Sequence, residues 1–419
     1  MAKEYDAIVV GARCAGAPTA MLLARKGYRV LLVDRASFPS DTLSTHVIHA
    51  PGVSALNRWG LLDRVRATGC PPFARYSIDF GPFTIAGTPR PVDGFSNAYA
   101  PRRTVLDSIL VEAAAEAGAE VREHFNVDEI ILDGGGVVGI RGHDEGGASV
   151  FEHARVVIGA DGRYSHVAKA VAAAQYNEKP RLEWGHYSYW SDLPVDGFEN
   201  FSRPGRGWAA APTNDGLTML VVGWPYAEST AYKADIEANY LATLELAPEF
   251  AERVRSATRE EPFSGGAVPN FFRKPFGPGW ALVGDAGYNK DPITAQGITD
   301  AFRDAEMCSN ALDAFFRGER SFDEAMSGYQ RDRDTRVGPI YEFTAGLASM
   351  EPPPPETQQV MGAVHGNQDA MDGFVSIIAG TVSPAEFFDP ENIGQIFQAA
   401  HARTGDQALE PQDHDARNG

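Results

Sequence analysis

Residues 6–34 constrain the fold more than any other stretch of the chain. Residues 6–10 read DAIVV, a short apolar run of the kind that forms a strand buried on both faces. A glycine loop, GARCAG, follows at 11–16. PTAMLLARKG then reads as a helix, with Pro18 in its first turn, Lys26 in its last and Gly27 just past its end. YRVLLVDR is the second strand and ends on Asp34 and Arg35. Strand, glycine loop, helix and strand make a βαβ unit of the dinucleotide-binding kind. Gly11 permits the tight turn out of the first strand, and Gly16 lets the helix approach the sheet. The helix N-terminus offers free N–H groups and a positive dipole end to a pyrophosphate. Asp34 can accept two hydroxyls of an adenosine ribose and repels a 2′-phosphate; Arg35 is grouped with it as cofactor-binding. Arg13 stands where the motif has its middle glycine. Two outcomes are open there: its Cβ crowds the pyrophosphate, or its guanidinium reaches round to neutralise it.

The chain has 419 residues, 43% hydrophobic and 22% charged, which is globular composition. Acidic residues outnumber basic ones by 56 to 37, a net charge of −19. That surface repels phosphate backbones and anionic membranes, so no nucleic-acid partner is expected. No apolar stretch reaches the roughly 18 residues of a membrane span, and no signal-peptide core precedes the first strand. A soluble, cytoplasmic protein is expected. Cys14, Cys70 and Cys308 make neither a disulfide framework nor a metal-ligand spacing. No metal is expected, and Cys14 reads as buried and inert.

The remaining chain alternates between two textures. Residues 51–67 and 104–117 read as helices, 127–142 as a hairpin turning at Asp133–Gly136, and 154–162 as another buried strand ending in a turn. Residues 73–100 are rich in Gly, Pro and aromatics and read as short strands. From 181 to 272, alternating stretches such as HYSYWSDL and LTMLVVGW suggest an antiparallel sheet interrupted by one helix at 230–245. GWALVGDAG at 279–287 returns to the buried-strand pattern, and two long helices follow at 298–317 and 321–346. Four prolines, 352–355, stop the second. The expected organisation is interleaved. A nucleotide unit comprises 1–70, 100–180 and 275–330, and a substrate unit comprises 71–99 and 181–274. A helical region covers 331–403, and a disordered polar tail covers 404–419.

Two further motifs accompany the glycine loop: GADGRYSHVAK at 159–169, and GDAGYNKDP at 284–292, continuing to Gln296-Gly297 and Asp304-Ala305. In this order, over about residues 4–345, the three motifs resemble the FAD-dependent monooxygenase superfamily typified by p-hydroxybenzoate hydroxylase. That superfamily also holds geranylgeranyl reductases and flavin halogenases. The resemblance implies an α/β class. A Rossmann-like FAD-binding domain of the glutathione-reductase type would interleave with an antiparallel-sheet substrate domain and carry C-terminal helices. It implies FAD, with NADH or NADPH as reductant. Asp285 would hold a ribityl hydroxyl, and Asp161-Gly162 would sit where the family contacts both FAD and NAD(P)H. Arg102 or Arg103 would reach the ribityl or phosphate side, with Arg103 the preferred residue, and Pro292 would lie beside the isoalloxazine ring. Gly297 precedes a long helix whose dipole would favour negative charge at the flavin N1–C2=O edge. The chain departs from the family where Tyr288, Ala295 and Thr299 replace its frequent His, Gly and Asn.

No second glycine-rich βαβ unit is present, so hydride is expected from NAD(P)H at a surface groove or from a separate flavin reductase. Halogenases use a lysine a few tens of residues past the glycine loop and a W-x-W-x-I-P signature. Here residues 27–168 contain no lysine, and 189–194 read YWSDLP. The favoured function is monooxygenation: hydroxylation or epoxidation of a small or medium organic, aromatic or secondary-metabolite substrate with O2. It would proceed through a flavin C4a-hydroperoxide in a dry pocket. Tyr187, Tyr189, Trp190, Trp208, Trp224 and Phe271 are candidate walls of that pocket. The alternatives are an FAD-dependent C=C reductase resembling the geranylgeranyl reductases and a flavin-binding protein without turnover. His46, in STHVIH, is a candidate general acid or base, and Tyr288 is a second catalytic candidate.

Overall fold

A computed structural model describes residues 4–407. Its first sheet runs, edge to edge, Phe276–Gly277, Trp280–Leu282, Ser149–Gly159, Glu4–Val10, Val30–Val33 and Glu120–Arg122. All neighbours except the first pair are parallel. Glu4–Val10 is central, and it sends Ala7 and Val9 into one apolar core and Ile8 and Val10 into another. Burial on both faces is why its sequence does not alternate. The Gly16–Arg25 helix packs on the first of these cores, joined there by Leu106 and Leu110 of the Arg103–Glu116 helix. An antiparallel hairpin, Asn126–Asp133 and Gly136–His143, extends from Ser149–Gly159.

The second sheet is ordered Thr258–Arg259, Glu183–Ser191, Thr218–Pro225, Arg206–Pro212, Phe198–Arg203, Tyr76–Asp79 and Thr84–Gly87. Ser264–Gly266 also pairs with Glu183–Ser191. All pairings are antiparallel except Phe198–Arg203 with Tyr76–Asp79. Its faces follow residue parity. Tyr187, Tyr189, Ala211 and Met219 join Tyr341, Val337 and Ile340 of the Phe322–Ala348 helix. Trp190, Trp208, Leu220 and Val222 point the other way, onto Tyr240, Leu244 and Phe250. A small third sheet joins Gln175–Lys179, Asn270–Arg273 and Tyr288–Asn289.

Local chemistry shifts three boundaries. The stretch 51–67 is two helices, Ala50–Arg58 and Leu62–Ala67, broken at Gly60, which takes φ 74°. The stretch 230–245 is likewise two, Ser229–Ala234 and Ile236–Leu244. Asp235 ends one and caps the other by accepting from the Ala238 N–H at 3.0 Å. Sequence reading missed the next helix, Pro248–Arg255. The two long helices run Gly297–Phe316 and Phe322–Ala348, the second opened by a Ser321–Glu324 capping box. The final helix, Pro390–Gln407, carries the chain through 404–407. The expected tail is thus shorter at its start, and 408–419 lie outside the described residues.

Candidate functional site

A cavity of about 730 Å³ opens where the strand ends of the first sheet meet the second sheet. Gly11, Arg13, Asp34 and Arg35 line one end. Gly11 takes φ 101°, and a Cβ there would stand 2.5 Å from the Ala160 carbonyl oxygen. A Cβ on Gly16 would stand 1.7 Å from the Gly11 oxygen, so the helix approaches the loop only because no side chain intervenes. Asp34 ties this loop together. One carboxylate oxygen accepts from the Ala12 N–H at 2.7 Å and the other from the Ala36 N–H at 2.8 Å. Each oxygen keeps a further acceptor site.

Arg13 lines the cavity and is tied to a buried acid. Its guanidinium binds Asp107 at 2.6 Å and the Ser40 hydroxyl at 2.9 Å, and lies over the Phe38 ring. Arg103 grips the same carboxylate through Nε at 3.0 Å and Nη2 at 2.9 Å, and Cys14 Sγ lies 3.4 Å from it. Two arginines therefore share one fully buried acid and leave a net positive charge beside the glycine loop. Sequence reading missed Asp107, although its i,i+4 spacing from Arg103 was a visible signal. Burial pushes the Cys14 thiol well above its ordinary range, in keeping with an inert thiol. Of the two adjacent arginines, Arg103 lines the cavity. Arg102 instead pairs with Glu261 at 3.0 Å and covers the Tyr189 ring.

Asp161, Gly162 and Arg163 line the cavity from the end of Ser149–Gly159. Asp161 accepts from the Ser165 hydroxyl at 2.5 Å and the His166 N–H at 2.6 Å, capping the short His166–Ala170 helix. Asp285 presents an exposed side chain to the cavity after Gly284, whose φ of 56° turns the chain. Buried Asp304 accepts from the Gly284 N–H at 3.2 Å and so holds that turn. Pro292 and Gly297 also line the cavity, and Gly297 opens a helix of 20 residues. Asp300, in its first turn, pairs with Lys290 and with Arg303. These cations hold its carboxyl below the usual range against the opposing effect of burial. Ala295 takes φ 52°, the left-handed conformation that glycine adopts at least cost.

The inner wall is Glu183, Gly185, Tyr187 and Val221 of the second sheet, with Gly265, Gly266 and Val268. Residue parity corrects the aromatic pocket read from sequence. Trp190 stacks on Tyr240 and Trp208 on Phe201, and Trp224 Nε1 donates to Thr243 at 2.8 Å, all on the opposite face of the sheet. Phe271 lies under the Arg273 guanidinium and outside the cavity lining.

His46 is fully buried and does not line the cavity. Its Nδ1 lies 2.8 Å from the Ser44 carbonyl, which can only accept, so Nδ1 carries the proton. Nε2 then accepts from the Tyr189 hydroxyl at 2.5 Å. Burial, helped by the Arg103 charge, lowers its pKa to about 3, so the expectation of an acid or base poised near neutrality is not met. His49 is structural: Nε2 donates to the Thr294 carbonyl at 3.0 Å and Nδ1 accepts from the Tyr76 hydroxyl at 2.8 Å. Tyr288 lines the cavity, and its buried hydroxyl has no partner. Burial raises its pKa, so that hydroxyl stays protonated.

The donor set fits FAD. The glycine cradle admits a pyrophosphate, Arg13, Arg35, Arg103 and Arg163 surround the cavity with positive charge, and Asp34 and Asp285 offer acceptors for hydroxyls. No cluster of three metal-ligating side chains occurs among the described residues, and no described helix is long and apolar enough to cross a membrane.

Known proteins are similar to this chain in sequence or in fold. The chain is 29% identical over 310 residues to digeranylgeranylglycerophospholipid reductase 2 of Methanopyrus kandleri, covering 70% of this chain and 73% of that protein. It is 28% identical over 359 residues to 3-demethoxyubiquinol 3-hydroxylase of Escherichia coli, covering 77% and 82%. The solved structure of the myxobacterial chondrochloren halogenase CndH superposes with a TM-score of 0.77 at 21% identity, covering 95% and 97%. The sequence profile described as FAD binding domain matches residues 4–344. The chain therefore belongs to this FAD-binding family of flavin-dependent monooxygenases and reductases.

Proposed function

We propose that the protein is an FAD-dependent monooxygenase that hydroxylates or epoxidises a small or medium organic substrate, with NADH or NADPH, directly or through a separate flavin reductase, as hydride source. The observation that carries this reading is the continuity of the cavity. One space runs from the glycine loop to the Tyr187 face of the second sheet, so a cofactor bound along it would present its ring to a buried wall. Bound there, FAD supplies hydride acceptance and oxygen activation.

The chain's own groups take the following roles. The Gly11–Gly16 loop and the helix behind it hold the pyrophosphate, with Arg103 and Arg13 balancing its charge through Asp107. Asp34 takes ribose hydroxyls and Asp285 a ribityl hydroxyl. Pro292 would flank the ring, and the positive end of the helix beginning at Gly297 would favour negative charge on the flavin. Tyr187 lines the wall from which water must be excluded. His46 orients the Tyr189 hydroxyl by accepting its hydrogen bond at Nε2, with its own proton fixed at Nδ1 on Ser44.

The 29% identity to an archaeal reductase favours a second reading, reduction of a carbon–carbon double bond. Anaerobic mixing with NADH and NADPH, followed by an oxygen pulse and a search for product, separates the two. Oxygen consumed in step with oxygenated product supports the monooxygenase; substrate saturated without O2 supports the reductase. Protein that binds FAD but is reduced by neither nucleotide points to the separate flavin reductase or to a binder without turnover.

A further inference from the structure

The cavity wall holds two acids that the reading above does not use. Glu183 is 8% exposed and Asp291 is 1% exposed, and both line the cavity. Neither Glu183 Oε2 nor Asp291 Oδ2 has a hydrogen-bond partner, and among the described residues neither carboxyl has an ion-pair partner. The two carboxyls are in contact with each other. Two ionised carboxylates offer only acceptors, so the contact is a hydrogen bond only if one proton lies between them.

The surroundings hold this pair in place. Glu183 lies flat over the sheet: a Cβ on Gly223 would stand 1.7 Å from its Oε1 and one on Gly185 3.3 Å away. Gly266, Gly185, Gly223 and Gly207 are paired in register across four strands, a lane without side chains on the cavity-facing side. Asp291 is fixed at the turn before Pro292. Its N–H donates to Asn270 Oδ1 at 2.7 Å, and its Oδ1 accepts from the Ile293 N–H at 3.1 Å. Asn270 is oriented in turn by donating to the Pro180 carbonyl at 2.9 Å.

We propose that Glu183 and Asp291 share one proton and are the acid of the reaction, delivering that proton into the cavity between the glycine lane and the Pro292 turn. The proposal rests on the monooxygenase reading for the proton's destination. A monooxygenation consumes substrate RH, O2, a hydride and a proton, and yields ROH and water. The hydride's electron pair reduces oxygen, the O–O bond breaks, a C–O bond forms, and the pair's proton ends in the water molecule. The pair then takes a replacement proton from solvent. Burial raises both carboxyls, and the neighbouring Asp291 raises Glu183 further, which favours a proton held on the pair. The groups facing the pair are Asn270, the Asp291-to-Glu183 contact itself, and the Tyr232 phenol, which lies within the field of Glu183 and is also raised by burial. Neighbouring Lys290 is engaged by Asp300.

The test is infrared spectroscopy of the FAD-loaded protein at neutral pH, in H2O and D2O, beside product assays. The variants are Glu183→Gln, Asp291→Asn and the double variant, whose amides keep the shape of the acids. The expected result is a deuterium-sensitive protonated-carboxyl band in the wild type that the double variant lacks. Product formation should fall by about 100-fold in the variants, the scale of a lost general acid, while FAD occupancy and flavin reduction stay unchanged. Equal spectra for wild type and double variant would overturn the proposal. So would variants that form product at the wild-type rate. A loaded wild type that no hydride donor reduces counts against the monooxygenase reading alone, because the band is recorded without turnover and its presence still supports the shared proton.

Discussion

Single atoms decide most of what happens at the glycine loop and behind it. Gly16→Ala would drive a Cβ into the Gly11 carbonyl oxygen. We expect a loss of about 3 kcal/mol or more, seen as a lower denaturation midpoint even without FAD, because a backbone atom cannot rotate away. Asp285→Ala removes a side chain that faces the cavity and whose side-chain hydrogen-bond partner is Asn289. It should leave the apo-protein midpoint little changed and weaken FAD binding about tenfold or more, since a hydrogen bond to a charged group is worth roughly 1.5–3 kcal/mol; full flavin occupancy after dialysis would count against its assignment. The two fully buried histidines make a pH prediction. His46 and His49 have pKa values lowered to about 3 and about 4. Below the unfolded value near 6.5 the unfolded chain binds protons that the folded chain refuses. Stability is therefore fully present above that value and falls on acidification, by about 1.4 kcal/mol per pH unit for each histidine until its folded pKa is reached. Urea midpoints between pH 7 and pH 5 should fall less steeply for His49→Asn than for the wild type, even though the variant starts less stable.

Elements show where sequence patterns speak clearly and where they do not. The Glu4–Val10 strand, the loop and the Gly16–Arg25 helix were legible because sterics at Gly11 and Gly16 tolerate few alternatives. The two long helices were legible because their apolar spacing persists over many turns. The aromatic wall was not. In a strand, adjacent residues face opposite ways, and the sheet is apolar on both sides. Tyr189 and Trp190 therefore read alike in sequence and part company in space. His46 was legible as a residue near the site but not in its role, which depends on Tyr189 arriving from a strand 143 positions away. The glycine lane was invisible because its members come from four strands. These faces predict different phenotypes. Trp208→Ala should cost about 3–5 kcal/mol of stability and leave the substrate KM of the folded fraction unchanged. Tyr187→Ala should alter KM or the ratio of product to oxygen consumed while FAD stays bound. Equal KM values for both variants would contradict the assignment of faces.

At the scale of the molecule, three separate stretches, around 11–35, 159–164 and 284–301, border one cavity. A ligand that binds only the folded chain stabilises it by mass action, about 2.7 kcal/mol at a concentration 100 times its Kd. FAD should therefore raise the thermal midpoint in a concentration-dependent way, and stripping it should return the midpoint to its starting value; a midpoint indifferent to FAD would argue against binding in this cavity. The same weaving governs the second sheet. Tyr76–Asp79 and Thr84–Gly87 are its outermost strands on one side, yet the Arg103–Glu116 helix and the Ser149–Gly159 strand separate them in sequence from their partners at 183–266. An engineer wishing to transplant the substrate wall onto a related scaffold would have to graft two cassettes together. Cutting the gene at any single point leaves that sheet without its border or the cofactor cradle without its third side.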